Sequence, residues 1–138
     1  MMKFGVIGAG GIGGVRADAL RASPDCELAA VYDVDPARAG QVAQGATMHA
    51  SPEAMFADPG VDAVILSTPP QFHEGLAITA MKAGKHVLVE KPMAASVDAC
   101  IRMMATAAET GRLLTVGFNH RYFEALKRVR DIVQSGEI

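Results

Sequence analysis

The sequence predicts an α/β domain, doubly wound around a parallel sheet, and three observations carry that prediction. Short apolar runs recur along the 138 residues and alternate with segments whose apolar residues fall at helical spacing. The runs are nearly continuous in apolar character, as strands are when helices cover both faces of a parallel sheet. Small polar residues followed by proline mark helix starts, and glycine marks several ends.

Lys3-Phe4-Gly5-Val6-Ile7 is the first strand, and the segment from Gly14 to Leu20 carries the small and aliphatic pattern of the first helix. Residues 27–32 form a second strand that ends at Asp33. Asp35-Pro36 then opens a helix to about Gln44: the carboxylate accepts from the unpaired first amides, and proline suits the first helical position. A short strand is expected near residues 46–48, and Ser51-Pro52-Glu53 repeats the cap signal for a brief helix through Phe56. Asp58-Pro59-Gly60 is a turn. Residues 61–66 are an apolar, β-branched strand that breaks at Ser67-Thr68-Pro69-Pro70. A helix over 73–82 has Leu76, Ala77, Ala80 and Met81 at helical spacing and ends at Gly84. A strand over 86–89, a helix over 96–110 stopped by Gly111, a strand over 113–116 and a helix over 122–136 complete the reading.

The first turn carries the sharpest signal. Gly8-Ala9-Gly10-Gly11-Ile12-Gly13 lies between the first strand and the first helix. In that setting Gly8 permits the tight turn, Gly10 lets the backbone approach a pyrophosphate, and Gly13 lets helix and strand pack closely. Free amides at the helix start then hold the anion. Asp33 ends the second strand twenty residues beyond Gly13, the offset of an acidic residue that accepts hydrogen bonds from an adenosine ribose. Together these point to a dinucleotide.

Composition narrows the partners. With half its residues hydrophobic the chain can bury one core, and it contains no repeat or low-complexity tract. A formal net charge of −2 with scattered Lys and Arg offers no basic face for nucleic acid, and no apolar run is long enough to span a bilayer. The start runs straight into a strand, without the regions of a signal peptide, so the expected compartment is the cytoplasm. Cys26 and Cys100 lack metal or redox spacing and read as reduced, packed side chains.

In a doubly wound sheet the ligand lies across the carboxyl ends of the strands. Residues 8–13, Asp33, 67–70, 90–92 and 117–121 all fall in loops at that edge. Their convergence is stronger evidence than any one of them.

The glycine turn, Thr68-Pro69-Pro70 with His73, the run from Ala83-Gly84-Lys85 to Glu90-Lys91-Pro92, and Gly117-Phe118-Asn119-His120-Arg121 together resemble the N-terminal domain of the Gfo/Idh/MocA oxidoreductases. The resemblance covers essentially the whole chain and implies a Rossmann domain over residues 1–120. Family members continue into a second α/β substrate domain, built on a mostly antiparallel sheet. Residues 121–138 read as its start, with the rest missing from this chain. Any homo-oligomer is expected to form through that sheet in a full-length protein, and the cleft left open here is expected to expose apolar surface.

The resemblance also implies roles. Lys91 matches the lysine between nicotinamide and substrate, hydrogen-bonding the reacting oxygen either electrostatically or as an acid–base group, partly desolvated at a strand end. Glu90 either orients Lys91 or the cofactor, or forms a surface salt bridge. Pro92 shapes the turn, with a cis bond to Lys91 as one option. Thr68, Pro69 and Pro70 resemble the loop over the pyrophosphate and nicotinamide ribose, where two prolines leave contact to the Thr68 hydroxyl, carbonyls and shape. His73 either reaches the cofactor or simply opens its helix. Asn119 and Arg121 match positions near nicotinamide and substrate, or are a helix cap and a solvated charge.

The expected cofactor is NAD rather than NADP. A 2′-phosphate beside Asp33 would be repelled by a few kcal/mol at an effective dielectric of about 20 and a distance of about 4 Å. Arg38 has three possible places: stacked on adenine, neutralising a phosphate, or facing water. The implied reaction is hydride exchange between nicotinamide and a hydroxyl-bearing carbon of a sugar, polyol or related small polar molecule, with this chain alone inactive. Two alternatives stand beside it: a relative that uses NAD transiently for elimination or glycoside cleavage, and a non-catalytic NAD(H)-binding or regulatory module.

Overall fold

The computed structural model describes residues 1–138. Its strands are β1 (Met2–Ile7), β2 (Cys26–Tyr32), β3 (Thr47–Met48), β4 (Ala63–Leu66), β5 (His86–Val89) and β6 (Leu114–Val116). They form one sheet in the order β3-β2-β1-β4-β5-β6, with every neighbouring pair parallel. The helices between and after them are α1 (Gly11–Ala22), α2 (Pro36–Ala43), α3 (Pro52–Ala57), α4 (His73–Lys82), α5 (Val97–Thr110) and α6 (Glu124–Ser135).

The caps form where the side chains require them. Asp35 accepts from the amides of Ala37 and Arg38, Ser51 from Ala54, and Ser96 from Ala99. Two short 3-10 turns, Pro70–Phe72 and Asn119–Tyr122, were not expected. The first is closed by Phe72 N–H donating to Pro69 O at 3.0 Å, directly before α4. The second takes up Tyr122, with which the last helix was expected to begin, so Asn119 opens a turn rather than capping a helix.

Alternate strand residues feed two cores, one on each face of the sheet. Val6, Leu28, Val31 and Ile65 pack under Ala17 and Leu20 of α1 and Ala39 and Ala43 of α2. Ile7, Val64, Leu66, Val87 and Val89 pack under Met55 and Phe56 of α3, Ala77, Ala80 and Met81 of α4, and Met103 of α5. Strands covered on both sides must be apolar at every position, which accounts for the continuous runs. Helix α6 has no buried residue and packs on the 3-10 turn before it. No helix is long and apolar enough to cross a membrane.

A candidate dinucleotide site at the carboxyl edge

The sheet order decides which loops meet. Strand β1 lies between β2 and β4, with the chain leaving it in one direction to β2 and returning on its other side as β4. At that reversal the loops diverge and leave a crevice. Across the edge the order is Asp33 after β2, the glycine turn after β1, Ser67 and Thr68 after β4, Lys91 after β5, and Asn119 and Arg121 after β6. From β2 to β5 is three strand spacings, about 14 Å.

The glycine turn is built from short contacts. Gly8 has φ +93°, a conformation that disfavours a side chain, and its amide donates to Tyr32 O at 2.8 Å. A Cβ on Gly13 would stand 1.8 Å from Gly8 O, so α1 can leave the turn this closely only with glycine there. Gly10 and Gly11 differ: a Cβ on either would meet nothing within 4 Å. The chain's own packing does not need glycine at these two positions, whereas a ligand pressed against the backbone would.

The start of α1 is an open donor site. Gly10 provides no side-chain cap, and the first intrahelical bond runs from Gly14 N–H to Gly10 O. The amides of Gly11, Ile12 and Gly13 are left for an anion. On the neighbouring loop, Ser67 Oγ and Thr68 Oγ1 are buried without a hydrogen-bond partner. Buried hydroxyls are normally satisfied, so both suit a polar ligand in the crevice. These features fit a dinucleotide pyrophosphate and ribose.

A cavity of about 880 Å³ occupies the β2–β1–β4 part of the edge. Gly8, Gly10, Asp33, Arg38, Thr68 and Pro69 line it, together with Val34, Glu53, Phe72 and Leu76. The Asp33 side chain is only 7% exposed. Its Oδ2 accepts from Ala9 N–H at 2.7 Å and its Oδ1 from Asp35 N–H at 2.8 Å. The predicted ribose acceptor therefore also anchors the glycine turn. Arg38 is pinned by two carboxylates, at 3.6 Å from Asp33 and 3.1 Å from Asp35. The Asp35 carboxyl is held below the ordinary carboxylate range, chiefly by the Ala37 amide and further by Arg38.

The remaining expected residues lie outside this cavity. Gly11, Ile12 and Gly13 form the first turn of α1 without lining it, and Pro70 opens the 3-10 turn. Lys91 is exposed and has no ion pair or hydrogen bond, and its peptide bond to Pro92 is cis. Its expected partial desolvation is not supplied by these 138 residues, because no element of the chain covers the end of β5. Asn119 and Arg121 are also exposed, and the Arg121 guanidinium lies 5.4 Å from the Phe118 ring centroid.

Two expectations change. His73 does not reach the cavity: it is fully buried, with Nε2 at 2.7 Å from Thr68 O and Nδ1 at 3.1 Å from Pro92 O. Both nitrogens face backbone carbonyls, and the ring tautomer sets which of them donates. Glu90 is neither a surface group nor turned to the cavity. It is buried, and its Oε1 accepts from Arg16 Nε at 2.5 Å. Arg16, in the second turn of α1, was not singled out from sequence. Its only signal was a charge on a helix that otherwise presents small and apolar residues to the sheet.

Residues 2–118 match the family described as "Oxidoreductase family, NAD-binding Rossmann fold". The chain is 36% identical over 138 residues to 1-carboxy-3-chloro-3,4-dihydroxycyclo hexa-1,5-diene dehydrogenase of Comamonas testosteroni, covering 98% of this chain and 35% of that protein. It is 37% identical over 145 residues to inositol 2-dehydrogenase 2 of Saccharopolyspora erythraea, covering 99% and 42% respectively. The solved scyllo-inositol dehydrogenase from Lactobacillus casei, with bound NAD(H) and scyllo-inositol, superposes with a TM-score of 0.92 at 25% identity. That match covers 100% of this chain and 42% of the other. The chain thus spans well under half the length of these relatives. It belongs to the Gfo/Idh/MocA oxidoreductases, and its fold is that family's NAD-binding Rossmann domain.

Proposed function

We propose that this chain is the cofactor-binding part of an NAD-dependent oxidoreductase that moves a hydride between nicotinamide and a CH–OH carbon of a small polyol, a cyclitol foremost. The observation that carries the reading is Lys91, an unpaired ammonium at the end of β5 beside a crevice suited to a dinucleotide. The names of the relatives, among them inositol dehydrogenases, support the polyol class.

NAD, when bound, supplies the hydride acceptor or donor. The amides of residues 11–13 would hold the pyrophosphate, Asp33 a ribose, and Ser67 and Thr68 the sugar–phosphate wall. Lys91 would donate a hydrogen bond to the substrate oxygen, stabilising the negative charge that develops there when a base outside these 138 residues takes its proton. Asn119 and Arg121 stand on the next loop, where a polar substrate would extend. Residues 121–138 would begin the substrate domain, and any assembly would use surfaces beyond this chain.

A second reading, a module that binds NAD(H) without turnover, draws on the exposure of Lys91. Calorimetry of the chain with NADH and NADPH tests the cofactor assignment. NADH bound about tenfold more tightly or better supports it, and binding of neither overturns it. Near-ultraviolet absorbance of NADH, followed in a longer parent chain with NAD and a panel of polyols, separates turnover from binding alone.

A further inference from the structure

Lys91 lies beyond the hydrogen-bonded ladder of its strand. Glu90 N–H donates to Leu66 O and Gly117 N–H to Val89 O, and no backbone bond is made by Lys91 N–H. The ammonium itself has no partner. The loop is nevertheless tied on both sides of this residue.

Before Lys91, the buried Glu90 carboxylate accepts from Nε of Arg16 on α1, with Nη2 also in contact. A Cβ on Gly117 would lie 3.2 Å from both Arg16 Nη2 and Glu90 Oε1, so the pair rests across Gly117 at the end of β6. After Lys91, the carbonyls of Pro92 and Met93 stand 3.1 and 3.3 Å from Nδ1 of His73 on α4. The other ring nitrogen stands 2.7 Å from Thr68 O. Helices α1 and α4 cover opposite faces of the sheet. One tie leads to the helix that begins at the glycine turn, and the other to the Thr68 wall of the crevice.

We propose that Arg16 and His73 are positioning residues for Lys91, clamping its backbone from the two faces of the sheet so that the ammonium keeps its place relative to the bound dinucleotide. The inference rests on the NAD-dependent reading above. Neither residue need touch the cofactor. Cutting either tie loosens the loop on one side of Lys91, and about 1 Å of misplacement is enough to disable a reacting group.

The test is competitive labelling of the chain with an amine-selective reagent, with and without NADH, comparing Lys91 with the exposed Lys82. Calorimetry runs alongside. In the unsubstituted chain NADH should slow labelling of Lys91 roughly tenfold. In Arg16→Met and in His73→Phe that protection should fall below about twofold, and in Arg16→Met, whose tie does not involve the Thr68 wall, NADH affinity should change by less than about threefold. A merely structural role would weaken affinity and protection together, or neither. Arg16→Lys and His73→Gln keep a donor at each position and should restore part of the protection. They decide the matter if the harsher variants do not fold. Full protection in the variants that fold overturns the clamp and leaves the cofactor reading standing. No NADH binding by the unsubstituted chain overturns both, and binding without protection of Lys91 overturns the clamp.

Discussion

Gly13 and Gly8 stand so close that a methyl group on Gly13 would overlap the Gly8 carbonyl oxygen, at 1.8 Å. A Cβ on Gly10, three residues earlier, would meet nothing within 4 Å. The two glycines therefore serve different purposes. Gly13→Ala should destabilise the fold by about 2 kcal/mol or more, since neither backbone segment can give way cheaply. Gly10→Ala should leave stability within about 0.5 kcal/mol but weaken NADH roughly tenfold by blocking the approach to the α1 amides. Urea denaturation and calorimetry on the two variants read these effects separately.

Asp33 couples loop geometry to cofactor choice. Removing its carboxylate takes away the acceptor for two amides and frees Arg38 from one of its two partners. Asp33→Ser should therefore lose NADH affinity and gain NADPH affinity, the latter by roughly a hundredfold if a few kcal/mol of repulsion is relieved. Adding Arg38→Met should abolish the gain. An undiminished gain in the double variant would show that Arg38 does not neutralise the phosphate.

Lys85 is a buried ammonium with no carboxylate. Its Nζ donates to Asp58 O and Val61 O, both at 2.7 Å, and so closes the turn between α3 and β4. Lys85→Met should cost about 1–3 kcal/mol by leaving a carbonyl without its donor. Denaturant titration should show a lower midpoint, with NADH binding retained once the protein is folded.

The Glu74 carboxyl on α4 is held below the ordinary carboxylate range, first by a hydrogen bond from Arg102 of α5 and then by its charge. The folded value is below the unfolded one, so the contribution is full above the unfolded value and is lost as pH falls through the folded value. Both groups reach solvent, so the effect is small. Melting curves of Glu74→Gln and the parent should differ at neutral pH and converge under acid.

The alternation of elements was legible because its signals are local. Asp35-Pro36, Ser51-Pro52 and Ser96 bond to amides two or three residues away, and such contacts follow from spacing alone. The glycine turn was legible for the same reason. The partners of Glu90 and His73 were not. Arg16 and Glu90 are 74 residues apart and meet only because β5 lies two places from β1. His73 is separated by 19 residues from Pro92 and is buried by the return of that loop. Lys85 read as part of a motif, yet its burial depends on a turn 24 residues earlier. Charged and titratable side chains take their partners from the topology, which periodicity does not encode.

The place of β1 in the sheet also bears on how the chain assembles. It is bordered by β2 and by β4, and Lys3 N–H reaches Asp62 Oδ2 across 59 residues. During synthesis, one edge of the first strand stays unpaired until nearly half the chain has emerged. The crevice edge formed by β1 and β4 closes only then, so early pairing with β2 yields a half-sheet without a dinucleotide site.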